Sequence, residues 1–168
     1  MRLPLTAPEL TGEKVVLRQL DRTVFDDYWR LLHDADVARW TGPAQPFSQS
    51  QVMQWLQTRG EQTDRLDWAI FERGVFAGEI VLNELDAENL SMNVRIAVLS
   101  EFQNRGLGSD AMRLVCEYAL ESLKLSEVTL GVMVENLRAQ RSYEKCGFVA
   151  GEQYIEDGIA YLVMSLKP

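Results

Sequence analysis

Apolar positions along the chain switch repeatedly between periods of two and of about 3.6, the signatures of strand and helix. Glu13–Arg18 reads as a first strand. Over Thr23–Leu32, Phe25, Trp29 and Leu32 recur at i, i+4 and i+7, which predicts a helix with these three on one face. Asp34–Gly42 reads as a short helix ending at Gly42-Pro43. Ser48–Arg59 is a better-marked helix: Ser48 and Gln51 have the spacing of a capping box, and Phe47 is placed to staple onto Val52. Trp68–Phe71 and Phe76–Leu82 read as a hairpin turning near Arg73-Gly74, and Leu90–Val98 as the next strand. Ser109–Leu123 is the longest helix, with Asp110, Arg113, Glu117, Glu121 and Lys124 tracing a polar stripe. Glu127–Val134 is rich in β-branched residues and reads as a strand. Leu137–Cys146 predicts a short helix, with Asn136 as N-cap and Gly147 as its stop. Phe148–Ile155 and Ala160–Leu166 close the chain as strands joined at Asp157-Gly158. Early strands followed by a strand–helix–strand–helix–strand run imply a mixed α/β sheet with helices on both faces. No repeat, low-complexity tract or linker divides residues 1–168, so one domain is expected.

The junction of the Leu90–Val98 strand with the next helix carries the first candidate chemistry. Its sequence is Gln103-Asn-Arg-Gly106-Leu-Gly108-Ser109. Glycines at 106 and 108 allow close backbone approach and left-handed φ values. The first amides of the following helix lack internal partners and point outward with the positive end of the helix dipole. Together they make a socket for a phosphate or pyrophosphate, and hence for a phosphorylated cofactor. The turn lacks the Gly-Lys-Ser/Thr ending of a P-loop, which excludes that class of nucleotide triphosphatase. It does satisfy the looser G-x-G-x-x-A dinucleotide fingerprint through Gly106, Gly108 and Ala111, and Glu135 lies where a ribose-binding acid is expected. A glycine-rich turn that binds nothing is the plainer alternative.

The second segment narrows these options. Asn136-x-x-Ala139-x-x-x-Tyr143-Glu-Lys-x-Gly147-Phe148 follows the next strand, and Ala139 and Tyr143 share one helix face. Paired with Gln103-x-x-Gly106-x-Gly108, this block resembles the two hallmark motifs of the GNAT superfamily of acetyl-CoA-dependent N-acetyltransferases. The RimJ/RimL type is the most similar branch. The resemblance extends over nearly the whole chain.

The resemblance implies a mostly antiparallel, splayed sheet of about seven strands with helices on both faces, opening between the strands that end at Val98 and Val134. It implies acetyl-CoA as co-substrate and no metal. The pantetheine arm would lie along Ile96, Ala97 and Val98, like an added strand. The diphosphate would sit on Gln103, Asn104, Arg105, Gly106, Leu107, Gly108 and Ser109, with Arg105 adding charge. Asn136 would hydrogen-bond the arm, and Tyr143 would both contact the cofactor and act as general acid. A helix cap at Asn136 and core packing at Tyr143 are the plainer roles of those side chains. Gln103 stands where many relatives carry arginine, which leaves the phosphate grip to backbone amides.

No general base follows from the resemblance, because the position at which some relatives carry glutamate is Gly131. Glu79, Glu84, Asn83 and Asn93 are alternatives on or near strands. The implied reaction is direct attack of a primary amine on the acetyl thioester in a ternary complex. The acceptor is open: a protein N-terminus, a polyamine, an antibiotic or a metabolite amine. Two other classes stay open, a non-catalytic acyl-CoA-binding module and a dinucleotide-binding oxidoreductase.

Composition constrains the rest. The 168 residues carry 17 basic and 25 acidic side chains, a net charge of −8. That argues against broad nucleic-acid binding and suits a cationic amine, although solubility alone explains it equally. No apolar run has the length of a membrane helix. Met1–Pro8 is too short and proline-broken for a secretory signal. Cys116 and Cys146 form no C-x-x-C pair, and reduced thiols in a cytoplasm are the simplest reading. The single histidine, His33, suggests no zinc site and reads as a surface or packing residue. Trp40, Phe47 and Trp55 either face a substrate cleft or fill the core, and core is the plainer reading. A monomer or a homodimer is expected.

Overall fold

The computed structural model describes residues 1–41 and 46–168. Its strands are β1 (Leu10–Thr11), β2 (Val16–Gln19), β3 (Leu66–Glu72), β4 (Val75–Asp86), β5 (Ser91–Val98), β6 (Glu127–Met133), β7 (Val149–Glu156) and β8 (Ile159–Leu166). Its helices are α1 (Phe25–Leu32), α2 (Ala35–Thr41), α3 (Gln49–Gln57), α4 (Leu107–Glu117) and α5 (Leu137–Lys145). The eight strands form one sheet in the order β1-β2-β3-β4-β5-β6-β8-β7. The predicted end of α2 at Gly42-Pro43 lies outside the described residues.

Local chemistry accounts for most of the elements. Arg73 (φ 49°) and Gly74 (φ 78°) join β3 to β4, and Asp157 (φ 50°) and Gly158 (φ 77°) join β7 to β8. Two consecutive left-handed residues give the turn whose twist matches an antiparallel pair. The Ser48–Gln51 capping box forms in full at the start of α3. β1 has two residues, too few to show a period, and takes the count from the expected seven to eight. Helix α4 starts at Leu107 and continues beyond Glu117 as one π turn, Tyr118–Ser122, with the Leu123 N–H donating to the Tyr118 carbonyl at 3.0 Å.

Two apolar layers flank the sheet. One holds α4 and α5 against Leu17, Trp68, Ile80, Val128 and Met164. The other holds α1 and α3 against Leu20, Ala69, Phe76 and Leu99. Helix α1 buries Tyr28 and Leu31, whereas Phe25, Trp29 and Leu32 are half-buried. The helix carries two overlapping apolar stripes, and packing turned the tyrosine stripe inward. Trp29 and Leu32 are thereby left to line a cavity.

Among the described residues the sheet has one parallel pair, and it splits there. β5 and β6 are in register only at Ser91–Glu127, Met92–Val128 and Asn93–Thr129. Beyond that, β5 stays on β4 as far as Val98, and β6 stays on β8 as far as Met133. Strand alternation fixes which groups face the opening. The Leu99 N–H reaches Ala77 on the β4 side, and the Leu90 carbonyl accepts from Ser126 on the β6 side. The N–H and C=O groups of Ile96 and Val98 therefore point into the gap. An opening of this kind was expected between Val98 and Val134.

Candidate active site

The turn after β5 is built for backbone exposure. Asn104 (φ 63°) and Gly106 (φ 77°) take the left-handed positions. Gly108 does not: it is the second residue of α4, and a Cβ there would make ordinary contacts of 3.7 and 3.8 Å with Ile96 and Val98. The fold thus tolerates a side chain at 108, and what its absence provides is open space in front of the helix. The Asp110 N–H reaches the Gly106 carbonyl at 3.1 Å. The amides of Leu107, Gly108 and Ser109 are left as the outward donors of the first turn. The Gln103 carboxamide donates to the Val98 carbonyl at 3.0 Å.

Two contacts from far along the chain hold this turn. Lys14 Nζ donates to the Arg105 carbonyl at 2.9 Å. Asp110, placed on a polar stripe by its spacing, is in fact buried. Its Oδ2 accepts the backbone N–H groups of Lys14 (2.8 Å) and Val15 (3.1 Å), and its Oδ1 accepts from Arg113 at 3.0 Å. Burial alone would raise the Asp110 pKa, but these donors outweigh it and hold the carboxyl below its ordinary value.

A cleft of about 450 Å³ opens in front of the turn, lined by Val98, Phe102, Gln103, Asn104, Gly106–Ser109 and one face of α5. Arg138, Arg141 and Lys145 occupy that face at i, i+3 and i+7, so three cations look across at the free amides. The resemblance had singled out none of them; their spacing beside Asn136 was the available signal. Arg105 points elsewhere. Its guanidinium pairs with Glu72 at 2.8 Å and caps the Glu101 carbonyl at 3.2 Å, which uses the charge that had been assigned to the diphosphate.

A second cavity, of about 490 Å³, lies under α1, α2 and α3 on the opposite side of β5. Its walls include Trp29, Leu32, Val37, Phe47, Val52 and Trp55. Phe47 and Trp55 are exposed to it and not core residues. His33 sits at its edge, its ring 4.4 Å from that of Trp29 and its Nδ1 2.8 Å from the Trp29 carbonyl. Glu79 lies on the floor, with Arg65 and Arg95. Burial is the main reason that the Glu79 carboxyl is pushed up to about 7; the charge of Asp67 adds to it, while Tyr28, Arg95 and Arg65 oppose it. A carboxylate at that value accepts protons near neutrality. Burial also raises the Tyr28 phenol, which faces Glu79.

The two cavities are lined by consecutive residues of one strand. Ile96 and Ala97 line the second and Val98 lines the first. Glu79 is the direct cross-strand partner of Ala97. Its signal in the sequence was the one acid inside the apolar run Val75–Leu82. At Gly131 the Tyr154 hydroxyl stands 2.7 Å from where a Cβ would be, so a side chain there would displace that exposed tyrosine.

On α5, the Asn136 Oδ1 accepts the Ala139 N–H at 3.2 Å, so the residue caps the helix as its position predicts. Tyr143 packs on the core beside Phe148, with ring centroids 6.2 Å apart. Its hydroxyl has no hydrogen-bond partner among the described residues, and burial pushes the phenol up to about 12. It lines neither cavity. Ser109 and Ser142 hydroxyls, 3.0 Å apart, join α5 to the start of α4. Among the described residues no helix is long and apolar enough to cross a membrane, and no group of three or more His, Cys, Asp or Glu side chains is placed to hold a metal.

A family model for the acetyltransferase (GNAT) domain matches residues 14–149. The chain is 30% identical over 80 residues to spermidine N(1)-acetyltransferase of Vibrio cholerae, covering 48% of this chain and 46% of that protein. It is 30% identical over 86 residues to "Putative ribosomal N-acetyltransferase YdaF" of Bacillus subtilis, covering 51% and 46%. These matches span about half the length of the curated relatives. The crystal structure of spermidine N-acetyltransferase from Vibrio cholerae in complex with CoA and spermine is similar in fold, with a TM-score of 0.84, 20% identity, and coverage of 93% of this chain and 96% of that one.

Proposed function

This chain belongs to the GNAT acetyltransferase family, and from that premise we propose that it transfers an acetyl group from acetyl-CoA to a primary amine. The observation that carries the proposal is that the two cavities are lined by successive residues of β5, Ile96–Val98.

The donor-side residues fit the coenzyme. The amides of Leu107, Gly108 and Ser109 would hold the diphosphate, with Arg138, Arg141 and Lys145 neutralising its charge. The open space at Gly108 admits the phosphate to the backbone, and the exposed N–H and C=O of Ile96 would pair with the amide-bearing arm, which leaves the Val98 N–H free. The bound coenzyme supplies the acetyl thioester.

On the acceptor side, Glu79 takes the proton from the incoming ammonium, which is otherwise no nucleophile at neutral pH. The amine nitrogen bonds to the acetyl carbon and the carbon–sulfur bond breaks; by the resemblance, Tyr143 gives its proton to the departing sulfur, and the second proton that the nitrogen sheds in becoming an amide restores the phenol, so that Glu79 holds the one proton left over. A neutral phenol at pH 7 retains that proton to give. The Val98 N–H is the donor for the developing oxyanion.

The reading is tested by incubating the protein with acetyl-CoA and a panel of amines and following free thiol. Amine-dependent thiol release, with acetyl-CoA raising Tm, is the expected result. Stabilisation by acetyl-CoA without transfer to any amine would leave a binding module, and stabilisation by NAD alone an oxidoreductase.

A further inference from the structure

We infer that the acceptor is a compact amine of the amino-acid class, with an apolar or aromatic body and a carboxylate beside the amine, and that it is not a polyamine. This rests on the acetyltransferase reading and deepens it by naming what the second cavity takes.

Charge decides first. Among the described residues, Glu79 is the one acid lining that cavity, whereas two guanidiniums line it, those of Arg65 and Arg95. The nearest further acid, Asp67, is 1% exposed and fully engaged: Arg65 grips both its oxygens, at 2.9 and 2.7 Å. A polyamine carries two or more ammonium groups at neutral pH. Here a single carboxylate would meet it; Arg65 and Asp67 cancel one another, and a further ammonium would find no second free acid and the unpaired guanidinium of Arg95 instead.

Arg95 then supplies the positive half of the recognition. Its guanidinium makes no ion pair or hydrogen bond among the described residues, unlike that of Arg65. Strand register fixes where it stands. Arg95 pairs with Val81 and Ala97 with Glu79, so Arg95 and Glu79 are diagonal neighbours on one face of the sheet. Such diagonals separate Cα atoms by about 7–8 Å, and a long side chain closes that distance. The floor of the cavity therefore offers a proton acceptor for an amine and, beside it, an unengaged fork for a carboxylate.

The walls set the third group. Trp29, Leu32, Val37, Val52 and Trp55 leave a space of about 490 Å³ bounded by apolar surface, suited to one side chain of moderate size. With the carboxylate on Arg95 and the amine on Glu79, the remaining substituent of the α-carbon points to those walls. The reaction is the transfer already balanced above, with the α-amine as the nucleophile.

The test compares L-phenylalanine, L-phenylalaninamide and spermidine as acceptors for wild type and Arg95→Glu, with acetyl-CoA thermal stabilisation as the control for the donor side. Phenylalaninamide keeps amine and ring but lacks the carboxylate, and so also represents a peptide N-terminus. The expected kcat/KM for phenylalanine exceeds those for the other two by about ten- to a hundredfold, the worth of a charge-assisted pair. Arg95→Glu is expected to reverse that order while acetyl-CoA still stabilises the protein. Preferred transfer to spermidine, or equal use of phenylalanine and its amide, would overturn the substrate class and leave acetyl transfer standing. Failure of acetyl-CoA both to stabilise the protein and to support transfer to any of the three would remove the acetyltransferase reading and this proposal with it.

Discussion

Replacing Asp110 by alanine removes one side chain and orphans two backbone amides. The Val15 N–H is buried and the Lys14 N–H partly so, and both donate to the same Asp110 oxygen. An unsatisfied buried donor costs about 1–3 kcal/mol. With the full cost at Val15 and a reduced one at Lys14, Asp110→Ala should lose about 2–4 kcal/mol. In a chain of this size that lowers Tm by about 4–16 °C. Asp110→Asn keeps an oxygen for both amides but loses the charge and turns its NH2 toward Arg113, so about 1–2 kcal/mol is expected. The pH dependence has a definite sign. The folded carboxyl titrates below its ordinary value, so its stabilisation is complete above the unfolded pKa of about 3.9 and fades as pH falls through the folded one. Urea unfolding of wild type and Asp110→Ala should differ by a constant amount from about pH 7 to 5, and the difference should shrink below about pH 4. A difference under about 0.5 kcal/mol at pH 7, or one that grows in acid, would refute the argument. The same substitution frees the start of α4 from the β1–β2 turn, so the affinity for coenzyme A should fall with the stability.

Other expectations concern the chemistry. Gly108→Val should keep the fold, because a Cβ at 108 meets only ordinary contacts, yet weaken coenzyme A binding at least tenfold by calorimetry; wild-type affinity would exclude the phosphate socket. Tyr143→Phe should leave Tm unchanged, since the hydroxyl has no protein partner, and lower kcat by about 10²–10⁴-fold; an unaltered kcat would remove its role as an acid. With Glu79 pushed up to about 7, the base is protonated below that pH. Log kcat/KM should therefore rise with unit slope toward about pH 7 and then level. Glu79→Gln should abolish that inflection and cost about 10²–10⁴-fold in kcat. A profile that keeps its inflection in the variant would assign the proton to another group.

Short-range chemistry was legible and long-range burial was not. Arg73-Gly74, Asp157-Gly158 and Ser48–Gln51 each settle a turn or cap within four residues, and each formed as read. The gap between the β5 and β6 ends was legible only through the resemblance. Asp110 read as a solvent-facing position of an amphipathic helix, because the two amides that bury it lie about a hundred residues earlier in the chain. Glu79 read as one strand acid among several, because nothing local announces that three helices roof that face of β4. Helix α1 shows the same limit in its rotation: Phe25, Trp29, Leu32 and Tyr28, Leu31 form adjoining stripes, and only the sheet beneath chooses between them. The resemblance aims Arg105 at the diphosphate, and Glu72 on another strand takes its guanidinium instead.

The Gln103 side chain gives one rung of the open strand a polarity of its own. With the Gln103 carboxamide seated on the Val98 carbonyl, that residue shows an approaching molecule a free hydrogen and only one uncommitted lone pair. A visitor bringing an oxygen or a sulfonyl finds a free partner there, and one bringing a hydroxyl or amide proton must share its acceptor with Gln103. Inhibitor chemists should therefore treat this rung as a filter, and fill it with a bare acceptor.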